Sequence, residues 1–191
     1  MYKRQVLKYR ADNSLIRLLE QRFLADENRT LIESSDFTKM IPQGWKVVVS
    51  ASNKSNSFEN EGKTGEILVP ANTCAYAEKE LSDDAQMIIA KINPGTDSSS
   101  DWGPGVAWIS DKMNVKLYLC TAKSEFGLAV NGVKYELESS EYRSGESVFM
   151  KMQREKNSLV CSFSYDGKKW KRLKTIPFSS DLLSRCVKIG K

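Results

Sequence analysis

The feature that most constrains the fold of this chain is a series of short, strand-like segments that begins near Asp36 and continues to the C-terminus. Segments such as GWKVVVSAS, AQMIIAKI and NVKLYLCTA are separated by turn residues, and helical periodicity is nearly absent. Asn-Gly at 131–132 is the strongest short hairpin signal, and Asp-Gly at 166–167 marks a further turn. This pattern predicts an all-β fold, an antiparallel two-sheet jelly roll or β-sandwich.

The length of 191 residues suits one domain with a short extra segment at its N-terminus. We assign residues 36–191 to the sandwich and residues 1–35 to an N-terminal extension, a linker or the tail of a preceding domain. MYKRQ resembles the translation of a sequencing adapter, so residues 1–5 are kept out of the fold prediction. RCVKIGK, at 185–191, reads as a strand without a polar tail, and we expect the sandwich to be truncated there.

The charge balance is mild, with 29 basic and 24 acidic residues and a formal net charge of +5. The densest basic run, DGKKWKRLKTI at 166–176, is interpreted as a solvated strand edge rather than a nucleic-acid patch. No run approaches the roughly 18 apolar residues of a membrane span. We therefore expect neither a nucleic-acid partner nor a membrane span.

The cysteine pattern does not indicate a metal site. Cys74, Cys120, Cys161 and Cys186 form no CxxC pair, and the chain contains no histidine to complete a zinc site. Cys120 and Cys161 lie in apolar, strand-like runs, which favours buried free thiols. A disulfide is also compatible with the spacing, so the sequence leaves the disulfide state open.

Alternation within the strand-like segments predicts which side chains face the core. In NVKLYLCTA, Val115, Leu117 and Leu119 point to one side, and the residues between them point to the other. Trp108 alternates in phase with Val106, which favours a core position, and the same interpretation is preferred for Trp45.

Four stretches, in this order, resemble the concanavalin A-like lectin/glucanase superfamily. They are SSDFTKMIPQGWKVV, ENEGKTGEILVPANTCAYAEKEL, DWGPGVAWISDKMNVKLYL and CSFSYDGKKWKRLKTI. The likeness is greatest to laminin-G-like bacterial domains, which are often appended to glycosidases. The resemblance implies a β-sandwich and an extracellular or periplasmic location, but this fold hosts many functions.

An enzyme is the first functional hypothesis that the sequence tests. The lack of histidine excludes Ser-His-Asp and Cys-His chemistry within this chain. Glucanases of the resembling superfamily carry a Glu-x-Asp-x-x-Glu strand, and no such run occurs here. Glu59 with Glu61, and Glu136 with Glu138, have alternate spacing but read as solvated charges. We expect no enzyme activity; the alternative is a glycosidase whose acids lie outside this sequence.

Calcium is the second hypothesis, because lectin-like sandwiches often hold this ion with loop carboxylates and carbonyls. NPGTDSSSDW offers Asp97 and Asp101. A flexible polar loop explains the same residues and is the preferred interpretation. We therefore expect no cofactor.

Sugar binding is the third hypothesis, since aromatic faces stack on sugar rings while polar side chains bond to the hydroxyls. The candidate carbohydrate-binding residues are Trp102, Asp101, Tyr76 and Trp170. A packing role is the alternative for each aromatic residue and is preferred for Tyr76 and Trp170, so Trp102 is the leading candidate for a stacking platform. The sequence predicts a non-catalytic module that binds a glycan, accessory to a larger polysaccharide-active protein. The alternative is a structural or protein-interaction sandwich without a sugar ligand.

Overall fold

The computed structural model describes most of the chain from Gln43 onward. The described residues are 43–49, 75–83, 85–94, 103–137 and 141–191. The predicted N-terminal extension and the strand predicted within EILVPAN lie outside these ranges.

The described residues are almost entirely β-structure, and one short 3-10 turn, Thr121–Lys123, links two of the strands. The strands are β1 (Lys46–Val49), β2 (Ala75–Glu80), β3 (Met87–Ile92), β4 (Gly105–Ser110), β5 (Asn114–Cys120), β6 (Glu125–Val130), β7 (Val133–Tyr135), β8 (Val148–Glu155), β9 (Ser158–Ser164), β10 (Lys171–Pro177) and β11 (Ser184–Gly190).

The strands form two sheets. The large sheet has the order β1-β2-β11-β4-β5-β6-β7, and the small sheet has the order β10-β9-β8-β3. Every neighbouring pair is antiparallel. The prediction of an all-β sandwich with two antiparallel sheets is confirmed.

Successive side chains of a strand point to opposite sides of the sheet, and this alternation determines which of them lie between the two sheets. In β5, Val115, Leu117 and Leu119 are fully buried in the space between the sheets, as their alternation predicts. On the small sheet, Met150 and Met152 of β8 face them from the other side of the core. The opposite side of each sheet is called its outer face below.

Trp108 fixes the centre of the core. Its side chain is fully buried, and its ring centroid lies 5.9 Å from that of Phe178, which enters the core from the connection between β10 and β11. Its indole Nε1–H donates to Ser184 Oγ over 3.1 Å. The prediction that Trp108 is a core residue is confirmed, and Trp45 packs against the core while partly buried.

A bulge in β11 makes the Trp108–Ser184 hydrogen bond available. Cys186 pairs with Ile109, but Ser184 pairs with Ser110, so two residues of β11 correspond to one residue of β4. An extra residue reverses the alternation of a strand. Ser184 is therefore turned into the core, where it is 1% exposed.

The hairpin predicted at Asn-Gly is present. Asn131 and Gly132 have φ values of 51° and 81°, as a two-residue type I′ turn between β6 and β7 requires. The Asn131 Oδ1 also accepts a hydrogen bond from the backbone N–H of Asn114 over 2.8 Å. This bond ties the turn to the start of β5.

The described cysteines are free thiols, as expected for the buried pair. Cys120 and Cys161 are buried and Cys186 is half-buried. Burial raises the pKa of the Cys161 thiol to about 12, which makes it unreactive at neutral pH. Cys74 lies outside the described residues.

The basic run at 166–176 forms the end of the small sheet, as the interpretation of a strand edge requires. β10 is the outermost of the described strands in that sheet, with Lys171 and Arg172 exposed. Across the described ranges, the structure contains no helix long and apolar enough to cross a membrane.

The Trp108–Ser184 hydrogen bond leads to a stability prediction. Replacing Ser184 by alanine leaves a buried indole N–H without an acceptor, so we expect a loss of about 1–3 kcal/mol in the free energy of unfolding. Urea unfolding followed by circular dichroism measures it, with exposed Ser180→Ala as the control, expected within about 0.5 kcal/mol of the parent. In a Trp108→Phe background the cost of Ser184→Ala should shrink. Equal effects of Ser184→Ala and Ser180→Ala would show that the bond does not stabilise the fold.

Candidate functional site

The outer face of the large sheet carries an unusual row of residues across its central strands. Strand pairing aligns Tyr76 of β2 with Gly190 of β11, Gly190 with Gly105 of β4, and Gly105 with Tyr118 of β5. Two adjacent glycines therefore lie between two tyrosines. Because glycine has no side chain, the outer face of the sheet is depressed where Gly190 and Gly105 lie side by side.

The depression is a trough of about 210 Å³. Its floor includes Gly105, Ala107 and Gly190, and its sides include Tyr76, Lys116 and Lys188. Asn114 and Lys191 also line it. The trough thus combines an aromatic ring, a floor of glycine and alanine, an amide and three ammonium groups.

Close packing explains why glycine occupies the floor. A Cβ at Gly105 would lie 2.6 Å from the Cα of Tyr118 and closer still to the carbonyl oxygen of Leu117, and backbone cannot move away cheaply. Gly190 has a φ of 144°, a conformation that residues with a side chain rarely adopt. The bare floor is therefore built into the geometry of β4 and β11.

At the other end of the row, the Tyr118 ring packs against a further glycine on the neighbouring strand. Its ring lies over Gly127 of β6, where a Cβ would collide with the ring carbons and sit 2.9 Å from the hydroxyl oxygen. The Tyr118 side chain is 3% exposed, and Lys116 Nζ lies 5.5 Å from its ring centroid. Tyr118 therefore shapes the site, while Tyr76, which is half-buried, presents the more accessible ring.

Lys188 holds the Tyr76 ring in place. Its Nζ donates to the Tyr76 hydroxyl over 3.1 Å and lies 4.4 Å from the ring centroid. The same Nζ is 3.5 Å from Oε2 of Glu78. These contacts order the tyrosine and the lysine together.

The surroundings keep Lys188 charged. Desolvation by burial acts to lower the pKa of Lys188, but the hydrogen bond with Tyr76 and the nearby Glu78 carboxylate outweigh it, so the pKa is raised above its ordinary value. The trough therefore presents a permanent positive charge at neutral pH.

Trp170 lies on the outer face of the small sheet. The turn before it is held by Asp166, whose Oδ1 accepts hydrogen bonds from the backbone N–H groups of Lys168 and Lys169, each over 2.7 Å. The bonds from Lys169 and Lys168, with one from Ser164, hold the pKa of the Asp166 carboxyl down to about 2. Lys151 Nζ lies 4.4 Å from the Trp170 ring centroid, so this tryptophan is partly covered.

The predicted sugar-binding residues do not come together. Tyr76 and Trp170 lie on outer faces of different sheets, on opposite sides of the core, so one small ligand cannot contact both. Trp102, Asp101 and the calcium candidate Asp97 lie outside the described residues. Of the predicted set, Tyr76 is the residue that the structure places in the trough.

Several trough residues were not predicted from the sequence. Alternation in β5 puts Tyr118 and Lys116 on the face away from the core, which was a usable signal. Gly105 reads in the sequence as part of a Gly-Pro-Gly loop, whereas it begins β4. Nothing in the sequence shows that Lys188 and Gly190 pair with β2 and β4, because that pairing joins distant parts of the chain.

Few of the described residues could serve as catalytic carboxylates or as metal ligands. There, no group of three or more cysteine, aspartate or glutamate side chains is arranged to hold a metal ion. Of the paired glutamates considered above, Glu136 is exposed, and Glu59, Glu61 and Glu138 lie outside the described residues. Glu78, which neighbours the trough, is ion-paired with Lys188.

Comparison with known proteins identifies no family for this chain. No family model matches the sequence, and no curated protein matches it. Among solved structures, a mutant of the GH43 protein BlXynB from Bacillus licheniformis is similar, with a TM-score of 0.48 and 12% sequence identity over 85% of this chain and 40% of that chain. A functionally unknown protein from Saccharomyces cerevisiae is similar with a TM-score of 0.42 and 15% identity, over 83% of this chain and 91% of that chain. The chain thus spans less than half of the GH43 chain.

The Tyr118–Gly127 contact gives a prediction about how the trough is shaped. Gly127→Ala places a methyl group where the Tyr118 ring lies, so we expect about 1–3 kcal/mol of destabilisation from overpacking. In a Tyr118→Ala background the space is vacant, and Gly127→Ala should then cost little. Chemical unfolding of the two single variants and the double variant measures the coupling. Additive effects would mean that the ring does not rest on Gly127.

Proposed function

We propose that this chain is a non-catalytic carbohydrate-binding β-sandwich of the concanavalin A-like type, accessory to a larger polysaccharide-active protein, and that the trough is its binding site. The observation that carries the proposal is the bare glycine floor beside the ordered Tyr76 ring. The four sequence stretches that resemble the superfamily support the fold type.

The trough has the two elements that sugar recognition needs. The Tyr76 ring supplies an apolar surface, and Lys188, Lys116 and Asn114 supply polar groups around it. The lack of side chains at Gly105 and Gly190 lets a flat ring approach the sheet closely. A site of this size suits micromolar to millimolar affinity, about 4–8 kcal/mol.

The residues of the trough are already ordered before a ligand arrives, which favours this site. Lys188 already restricts the Tyr76 ring, so less side-chain entropy is lost when a ligand arrives. The glycine floor is likewise fixed by the pairing of β4 with β11. The site is therefore largely formed in the free protein.

The carboxylates on the outer face of the large sheet favour binding of a sugar without hydrolysis. Glycoside hydrolysis needs a protonated acid and an ionised carboxylate on either side of the scissile bond. Glu78, the acidic residue beside the trough, is ion-paired with Lys188. Glu80 is exposed in the next row of the same strand. We propose no catalytic role for either carboxylate.

A protein-interaction module is the second candidate, and the exposed edge of the large sheet supports it. Among the described strands β7 pairs with β6 alone, and its Val133 and Tyr135 are 64% and 39% exposed. Such an edge can accept another strand. This candidate requires no sugar binding by the trough.

Substitution of Tyr76 tests the proposal. Affinity electrophoresis through gels containing cellulose, xylan, galactan or polygalacturonate should show retardation in at least one, and Tyr76→Ala should weaken that binding by about tenfold or more, since stacking is lost. Tyr76→Phe keeps the ring and should lose less.

Trp170→Ala is the matched control, because it removes an aromatic ring from the opposite face of the sandwich. It should bind as the parent does. Loss of binding in Trp170→Ala with full binding in Tyr76→Ala would contradict the site, and no retardation in any gel would favour the interaction module.

A further inference from the structure

Next to the tyrosine–glycine row, the outer face of the large sheet carries a row of lysines. Strand pairing places one residue from each strand of this sheet in a single line across the outer face. In the order of the strands in the sheet, these residues are Lys46, Glu78, Lys188, Ala107, Lys116, Ala129 and Lys134. Lys46, Lys188, Lys116 and Lys134 are called the lysine row below. They occur on every second strand, which separates their backbones by about 10 Å.

The residues between the lysines leave the row positively charged. Ala107 and Ala129 carry no charge, and Glu78 is the one acidic residue within the row. Glu80 lies on the same face one row away from the lysine row, and Glu125 lies two rows away on the other side, beyond the tyrosine–glycine row. The two central members of the row, Lys116 and Lys188, line the trough.

Protection of a sheet edge does not explain the central lysines. Lysines commonly occur on outermost strands, where they prevent association with another sheet. Lys188 lies on β11 and Lys116 on β5, and both strands are paired on each side. Edge protection therefore does not account for Lys116 and Lys188, which are half-buried on inner strands and line the trough.

We infer that the trough binds an acidic polysaccharide, whose chain crosses the strands along the lysine row while its carboxylate or sulfate groups pair with Lys116 and Lys188. This inference rests on the proposed carbohydrate-binding function and specifies its ligand class. A regular row of point charges fits a polymer that repeats its own charge, and an ammonium group accepts either kind of anion. Tyr76 then contacts a sugar ring beside the charged groups.

Two matched pairs of polymers test the charge selection. Polygalacturonate is compared with its fully methyl-esterified form, and dextran sulfate with dextran, by affinity electrophoresis and by isothermal titration calorimetry at low salt. At least one acidic polymer should bind about tenfold or more tightly than its neutral partner, and added salt should weaken that binding because it screens the contacts.

Variants with equal loss of charge locate the binding. Lys116→Gln combined with Lys134→Gln should weaken binding of the acidic polymer about fivefold or more. Lys168→Gln combined with Lys169→Gln removes the same charge from the turn before β10 and should have little effect. Circular dichroism and thermal unfolding of each variant confirm that the fold is kept. Equal weakening by the two double variants would overturn the lysine row as the binding surface.

The remaining outcomes separate this inference from the proposed function. Equal binding of acidic and neutral polymers would overturn the charge selection and leave the carbohydrate module intact. No binding of any polysaccharide would overturn both. Single-stranded DNA is included as a competitor, and tighter binding of DNA than of every acidic polysaccharide would overturn the polysaccharide as the ligand.

Discussion

The position of β11 inside the large sheet is the constraint on which the rest of the structure depends. β11 pairs with β2 on one side and β4 on the other, and so joins segments that are far apart in the sequence. Its register is held by the bulge that turns Ser184 toward the indole of Trp108. A shift of one residue would exchange the two faces of the strand, placing Lys188 in the core and Val187 outside. The core and the outer face are therefore specified together.

The trough is a direct consequence of this pairing. β11 contributes Gly190 to the floor and Lys188 to the side, β2 contributes Tyr76, and β4 contributes Gly105. No one segment holds the site. The same register aligns Lys46, Lys188, Lys116 and Lys134 in one row. The aromatic ring, the bare floor and the positive charge thus arise from one arrangement of strands, and they lead to the proposal of a module for acidic polysaccharides.

Local patterns in the sequence predicted the fold, whereas the trough depends on strand pairing that local patterns do not reveal. Alternation in β5 placed Val115, Leu117 and Leu119 in the core, and Asn131-Gly132 predicted its hairpin, because both depend on neighbours along the chain. Tyr76 was selected, but it was grouped with Trp170, which lies on the opposite outer face. Composition and turns do not reveal which strands pair, so the sequence alone does not say how far apart the two residues lie. The pairing of β11 with β2 and β4, which assembles the trough, is a long-range property.

The central claim is that ligand binds to the outer face of the large sheet. The most direct measurement is a nuclear magnetic resonance titration of the isotopically labelled chain with short oligogalacturonates, following the backbone amide of each residue. The account predicts that the largest shift changes occur at Gly105, Ala107 and Gly190, together with Tyr76 and Lys116. Changes clustered around Trp170 on the small sheet, or none at any concentration, would contradict it.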